Sequence, residues 1–304
     1  MSRILHSRYS PSFIEPGVIG FSSISDTKTL LLRDFALNVM SQIVLGGGLG
    51  KWFQRLIAAI FLGGQVMMHL VQGKIHRRNT IEQMIAVGPG SLLIALLTAA
   101  TVGMVFTIQV AREFINFGAS TAVGGVLAVA LLRELIPVLT AIVVAGRVGS
   151  AFAAEIGTMA VTEQIDALQM LKTDPIDYLV IPRVIACCVM VPILSIFAFI
   201  TGMLGGLIIA DSIYGISSAV FLDSARNFLG VWDLVSAMIK SAIFGSLVAV
   251  IGSSWGLTTT GGAKGVGQST TTAVVTALLM IFVTNFFLSW AMFQGVGNAA
   301  SGGI

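Results

Sequence analysis

The chain has 304 residues, of which 56% are hydrophobic and 10% are charged, and its formal net charge is +3. Soluble domains usually carry about 25% charged residues, so this composition excludes an ordinary soluble enzyme and indicates a protein that crosses the membrane several times. The Lys and Arg residues are scattered along the chain, and the sequence therefore offers no basic patch for a nucleic acid.

The N-terminal residues 1–45 mix basic side chains with Ser, Asp and Pro and are interpreted as a cytoplasmic tail. The next stretch, residues 51–72, is apolar on broad faces but is interrupted by Gln and His, and basic residues stand at both of its ends. A helix with cations on both sides suits the membrane interface better than a crossing. The sequence therefore predicts an interfacial helix over 51–72.

Five apolar stretches are long enough to cross a bilayer. We expect the first of them to begin after a break at Pro89-Gly90. They cover residues 91–111, 122–155, 184–210, 234–257 and 271–293, and a short tail follows at 297–304. The second is about 50 Å long if it is helical, more than a roughly 30 Å hydrocarbon core, so it must tilt, kink or protrude, and Pro137 can supply a kink.

Basic residues are concentrated on one side of these spans. Those before the first span are Arg3, Arg8, Lys28, Arg33, Lys51, Arg55, Lys74, Arg77 and Arg78, and those assigned to the same side further along the chain are Arg147, Lys172, Arg183 and Lys264. The opposite loops hold only Arg112 and Arg226. Because cytoplasmic loops carry the excess of Lys and Arg, the N-terminus is predicted to be cytoplasmic and the C-terminus to lie outside.

Two adjacent charges, Arg133 and Glu134, lie inside the apolar run of the second span. A charge at the centre of a membrane helix costs about 2.5–3.5 kcal/mol on insertion scales, so such residues are candidates for a functional site. The alternative interpretation is that both lie near a helix end and extend to the interface.

Small residues recur every four positions further along the same span, where one helix face would let another helix approach closely. They are Ala141, Ala145, Gly149, Ala153 and Gly157. This pattern predicts a packing seam between helices.

The segment after the second span is polar and amphipathic. Arg147 and Glu155 are spaced to share one side of the helix at its cytoplasmic exit, and Thr162 is placed to cap a following helix that begins with Glu163 and Gln164. Apolar residues then alternate with polar ones: Ile165, Leu168 and Leu171 against Asp166, Gln169 and Lys172. We expect a short helix between spans two and three that either binds a cytoplasmic partner or serves as an ordinary connector.

Catalytic chemistry has little support in the sequence. The three His residues lie outside the predicted spans and show no metal-ligand spacing, so no metal site is expected. Ser150 and Lys240 form a conceivable Ser/Lys pair, but no third group is placed to organise it. The adjacent Cys187 and Cys188 are interpreted as packing residues.

The charged and small-residue run LLRELIPVLTAIVVAGRVGSAFAAEIGTMAVTEQIDAL, followed by DPIDYLVIPRV, closely resembles the signature of MlaE-type permeases, also called YrbE or MCE-associated ABC permeases. The resemblance covers about residues 46–296. It implies an all-α membrane protein with an N-terminal interfacial helix, five transmembrane helices and a cytoplasmic coupling helix between spans two and three. The sequence departs from the family at Ile136, where Gly is common, which bears on the kink near Pro137.

The resemblance also implies a function and partners. The chain would be the permease subunit of an ATP-driven lipid transporter, with a phospholipid as the expected cargo, working as a homodimer with a cytoplasmic ABC ATPase and an MCE-domain protein on the outer face. ATP and Mg would be bound by the ATPase, and no cofactor by this chain. The host would be a bacterial inner membrane or the plastid inner envelope.

The matching positions imply roles for individual residues. The ATPase-coupling group would be Glu155, Glu163, Gln164, Asp166 and Leu168, and the in-membrane charged positions would be Arg133, Glu134 and Arg147. From the apolar surface of span one together with the resemblance, we expect a lipid cavity lined by Leu92, Leu96, Val105 and Ile108. The alternatives are an ion-coupled secondary transporter that uses Arg133, Glu134 and Lys240 as a relay, and an intramembrane enzyme that depends on Ser150.

Overall fold

A computed structural model describes residues 48–71 and 77–295, and within these ranges the chain is helical without strands. The chain divides into two units, Met1–Lys51 and Trp52–Ile304, and the membrane helices belong to the second. The predicted tails 1–45 and 297–304 lie outside the described residues.

Five described helices are long and apolar enough to cross a membrane, which confirms the predicted fold class. We number the helices in chain order. They are α1 (Gly48–Val71), α2 (Arg77–Asn116), α3 (Ser120–Val161), α4 (Gln164–Met170), α5 (Ile176–Tyr214), α6 (Ser218–Phe228), α7 (Val231–Leu257) and α8 (Gly262–Phe293), and the membrane-length ones are α2, α3, α5, α7 and α8.

Helix α2 continues through Pro89 without interruption, so the predicted break at Pro89-Gly90 was wrong. Proline removes one backbone hydrogen bond, here the one to the Ile85 carbonyl, and a neighbouring helix contacts the adjacent residues of α2. The guanidinium of Arg147 on α3 donates to the Ala86 carbonyl at 3.4 Å and to the Ser91 hydroxyl at 3.1 Å. A side chain at Gly90 would collide with this guanidinium, so the glycine leaves the room that Arg147 occupies.

Helix α3 is continuous but contains two π-helical turns, Leu131–Leu135 and Ala145–Gly149. The first directly precedes Pro137, so the irregularity expected near that proline takes the form of a widened turn. Ile136, the departure from the family pattern, is buried in a cluster between α2, α3 and α5.

The small-residue face of α3 is a packing seam, as predicted. Its alanines and glycines are buried. A Cβ added to Gly252 of α7 would lie 2.8 Å from the Gly149 carbonyl oxygen, and one on Gly256 would meet Ile156. The α3 and α7 backbones therefore touch, a contact that larger side chains would prevent.

Helices α1 and α6, which lie outside the five spans, pack against the bundle. Helix α1 confirms the helix predicted over 51–72; its Trp52 indole donates to Thr276 of α8 at 2.9 Å, while its position in the membrane interface stays a prediction. Helix α6 was not predicted, because its charged residues indicated a loop. It begins after the capping residue Ser217 and buries Phe221 against Gly124 of α3.

Candidate functional site

Four charged side chains form two ion pairs at the junction of α3, α7 and α8. The Arg133 Nε atom is 2.6 Å from Asp233 Oδ1, and the Lys240 Nζ atom is 2.9 Å from Glu134 Oε1. The two negative and two positive charges cancel, so the cluster has no net charge when all four side chains are ionised.

Lys240 is the most buried member of this ion cluster, with a side chain that is 0% exposed. Its ammonium donates to the Arg133 carbonyl at 2.8 Å, to Glu134 at 2.9 Å and to the Ser289 hydroxyl at 2.7 Å. All three N–H groups therefore have an acceptor, which is the condition under which a buried lysine is tolerated. One of those acceptors is the carbonyl of a residue in the first π turn.

The two acids are held by further donors. Glu134 accepts from Ser289 at 2.7 Å and from the Asn285 amide at 2.8 Å, both on α8. Asp233 lies in the first turn of α7, where its second oxygen accepts from the Gly230 amide at 2.9 Å. A carboxylate at a helix N-terminus is also favoured by the helix dipole. Each acid thus ties α3 to a different helix.

Sequence reasoning found part of this cluster. Arg133 and Glu134 were predicted from the cost of charge in an apolar run, and Lys240 entered only the alternative functions. Asp233, Asn285 and Ser289 were missed. The last two lie four residues apart on one face of the final span, a polar spacing that could have indicated them.

An open groove of about 440 Å³ borders the ion cluster. Its polar side is formed by Arg133, Glu134 and Ser289, and the Arg133 guanidinium lies 4.8 Å from the centre of the Phe293 ring. The remaining lining is apolar or aromatic: Val129, Ala130, Phe286, Trp290 and Phe293. The groove therefore joins a charged wall to an apolar one, and we call it the amphipathic groove.

The four residues of span one that were predicted to line a cavity lie in different environments. Val105 lines a second groove of about 250 Å³ with Leu135 of α3. Leu92 packs against the bundle core, Leu96 is half-buried, and Ile108 is 40% exposed. Contact of any of them with lipid stays a prediction.

Arg147 and Glu155 do not act together, although they lie on one helix. Arg147 bonds to α2, as described above, whereas Glu155 pairs with Arg183 of α5 at 2.9 Å. Arg183 is buried, donates to the Leu179 carbonyl at 2.7 Å and lies over the Phe152 ring. The two charges therefore join α3 to two different helices in its C-terminal half.

The predicted helix after span two exists as α4, but its start differs from the prediction. Thr162 ends α3 and donates its hydroxyl to the Thr158 carbonyl, so the expectation that it caps α4 was wrong. Glu163 precedes α4 with φ 60°, and the left-handed residue gives a sharp corner between the helices. This corner leaves Glu163, Gln164 and Asp166 exposed.

The apolar side chains of α4 are partly buried against the chain and partly exposed. Ile165 is buried with Ile156 and Leu179, and Leu168 packs at the edge of the same cluster. Met170 and Leu171 are 84% and 75% exposed. The available apolar surface of this segment therefore lies at its C-terminal end, one turn beyond the predicted anchor Leu168.

Comparison with known proteins gives concordant matches. A family model described as Permease MlaE matches residues 80–291. A probable ABC transporter permease protein of Synechocystis is 66% identical over 254 residues, 84% of this chain and 97% of that protein. The chloroplastic protein TRIGALACTOSYLDIACYLGLYCEROL 1 of Arabidopsis thaliana is 53% identical over 249 residues, 82% of this chain and 71% of that protein. A probable ABC transporter permease protein of Rickettsia typhi is 38% identical over 225 residues, 74% of this chain and 87% of that protein.

The ion cluster generates a stability prediction. Lys240→Met should lower the free energy of unfolding by about 3 kcal/mol, the low end for a broken buried pair, because the Glu134 side chain is 43% exposed. Glu134→Gln together with Lys240→Met should cost less than the sum of the single changes, since no unpaired charge remains. Denaturant titration in mixed micelles measures each value.

The exposed Lys264 supplies the matched control: Lys264→Met should leave the free energy of unfolding within about 0.5 kcal/mol of wild type. Strict additivity of the Glu134 and Lys240 changes would show that the two side chains do not interact.

Proposed function

This chain belongs to the MlaE family of ABC transporter permeases, and from that premise we propose that it moves a lipid, in the simplest case a phospholipid, with energy supplied by a separate ATPase. The observation that carries the proposal is the amphipathic groove. A lipid has a polar head and apolar chains, and the groove offers hydrogen-bonding charges beside aromatic and aliphatic side chains. Its volume of about 440 Å³ lies within the usual range for ligand sites.

The ion cluster suits a lipid head group better than a transported ion. Lys240 donates all of its N–H groups within the chain and is buried, so it has no free position for a cargo ion. Arg133 is different, because 39% of its side chain is exposed on the groove wall. In this proposal Arg133 contacts the lipid head group. Lys240 and Glu134 hold the groove wall in place behind Arg133. The name of the chloroplast relative, which is that of a glycerolipid, agrees with such a cargo.

Three partners complete the proposed transporter. The ATPase would bind α4 from the cytoplasm, where exposed acids surround the apolar Met170 and Leu171. An MCE-domain protein would sit on the opposite face, where α6 exposes Leu222 and Phe228. A second copy of the chain would cover the open side of the groove and so enclose the cargo. ATP and Mg would be held by the ATPase.

The proposed orientation places the α2–α3 loop outside and α4 in the cytoplasm, as the distribution of Lys and Arg indicates. Phe117 in that loop is 82% exposed, and Gln169 on α4 is exposed, so both positions can carry a label. In a background with Cys187 and Cys188 replaced by Ser, Phe117→Cys should react with an impermeant thiol reagent from outside and Gln169→Cys only after permeabilisation. The reverse pattern would contradict the orientation.

The cargo site is tested by photo-crosslinking in membranes. A photoreactive amino acid at Phe286 or Trp290 should capture several-fold more lipid than one at Leu204 on α5 or Leu97 on α2. The control side chains are similarly exposed: Leu204 and Leu97 are 51% and 65% exposed, and Phe286 and Trp290 are 67% and 65% exposed. Arg133→Gln should reduce capture at the groove positions alone, because it removes a charged donor from the groove wall.

Equal lipid capture at groove and control positions would show that the groove residues contact only bilayer lipid. The main support for a lipid cargo would then be lost. A photoreactive residue at Val105 tests the second groove in the same experiment.

The ATPase contact is tested by co-purification. Leu171→Ala should weaken ATPase binding by about tenfold or more if this side chain is a hot spot of a helix-in-groove contact. Glu163→Lys should weaken it through charge, and the backbone strain at φ 60° is similar for Lys and Glu. Phe117→Ala, an equally exposed apolar truncation on the far side, is the matched control. If Leu171→Ala and Glu163→Lys both retain wild-type amounts of bound ATPase, α4 does not bind the ATPase and only connects α3 to α5.

A further inference from the structure

Three potential metal ligands meet at a point that the transport proposal does not use. His69 lies near the end of α1, and Asp174 and Asp177 lie between α4 and the body of α5. One ligand atom from each side chain lies within 4.8 Å of the other two. His69 Nδ1 and Asp177 Oδ1 are themselves within hydrogen-bond distance. His69 and Asp177 are 108 residues apart in sequence, so no local spacing could have predicted this group.

We propose that His69, Asp174 and Asp177 bind one divalent first-row transition ion, with Zn²⁺ as the best fit. One imidazole nitrogen and two carboxylate oxygens form a donor set that such ions accept, with bonds of about 2.0–2.2 Å to each. Ligand atoms around such an ion lie about 3–3.5 Å apart, so small side-chain rotations that slightly separate His69 Nδ1 from Asp177 Oδ1 would fit the group to an ion. Mg²⁺ and Ca²⁺ prefer six or more oxygen ligands and are disfavoured by the imidazole.

The two acids are positioned by their local backbone. Asp174 Oδ1 accepts from the Ile176 amide at 2.9 Å, which fixes the side chain at the start of α5 and leaves its other oxygen for an ion. Asp177 belongs to the π turn Ile176–Val180. Both carboxylates therefore come from one short segment at the start of α5, and only the imidazole comes from elsewhere. A site with this arrangement loses little freedom when the ion binds.

The surroundings suit an ion that enters from the cytoplasmic side of the proposed topology. The side chains of His69 and Asp177 are 18% and 14% exposed, which limits competition from water. Asp174 is exposed and supplies an entry path, and a fourth coordination position would face solvent. The bound ion would join α1 to the segment that connects α4 with α5. It would strengthen the attachment that the His69–Asp177 contact already makes, at the other end of α1 from Trp52 and Arg55.

The test is Zn²⁺ titration of the purified full-length chain in nanodiscs, with any polyhistidine tag removed. Isothermal titration should show one Zn²⁺ per chain and no comparable binding of Mg²⁺. His69→Ala and Asp177→Asn should each weaken Zn²⁺ binding more than about tenfold, since even the loss of an outer-shell partner typically costs 10–100-fold. Glu82→Gln is the matched control, because Glu82 is an exposed carboxylate paired only locally with Arg78.

The melting temperature gives a second, independent result. Zn²⁺ should raise it for wild type and for Glu82→Gln but not for His69→Ala, because a ligand stabilises only the state that binds it. Asp174→Asn keeps the His69–Asp177 contact and provides a variant that should fold if His69→Ala does not. If Zn²⁺ affinity is unchanged in these variants, or if wild type binds no Zn²⁺, the three residues do not form a metal site and His69 and Asp177 form only an ion pair. Neither result depends on ATPase binding or on lipid capture in the amphipathic groove, so failure of the metal proposal leaves the transport proposal unaffected.

Discussion

The pairing of Lys240 with Glu134 is the interaction on which the arrangement of the bundle depends. An ammonium that is fully removed from solvent is costly unless every donor is satisfied, and its acceptors here come from α3 and α8 while the lysine itself belongs to α7. The three helices must therefore meet at one point and in one register. A hydrophobic core of the same volume would permit small slips between helices, whereas this set of hydrogen bonds does not.

The small residues of the bundle make that meeting possible. Gly149 and Gly252 let the backbones of α3 and α7 touch, and Gly103 and Gly202 do the same for α2 and α5. Lipid chains are as apolar as leucine, so close backbone packing replaces the hydrophobic effect as the attraction between membrane helices. The glycine contacts and the ion cluster thus support one another: the first set the separation of the helices, and the second sets their register.

The features that local rules govern could be predicted from the sequence. The five spans follow from hydropathy, and the cost of burying charge identifies Arg133 and Glu134. The partners of these charges could not be predicted, because Asp233 and Lys240 lie about a hundred residues away and only packing brings them close. Two predictions were wrong. The break expected at Pro89 is absent from α2, which Arg147 of another helix contacts at this point. The cap expected at Thr162 is absent because Thr162 ends α3 and the left-handed Glu163 turns the chain into α4.

Three of the four π turns in the described part of the chain contain charged residues. The turn Leu131–Leu135 contains Arg133 and Glu134, Ala145–Gly149 contains Arg147, and Ile176–Val180 contains Asp177. A widened turn changes the direction of its side chains and weakens the regular backbone pairing, and such turns are frequent at functional sites. At the first of them the consequence is visible, since Lys240 bonds to the Arg133 carbonyl as well as to the Glu134 side chain. Helix α3 therefore connects the amphipathic groove to the corner at Glu163 as one continuous element. It departs from regular α-geometry at Arg133, Glu134 and Arg147, whose side chains bond to neighbouring helices.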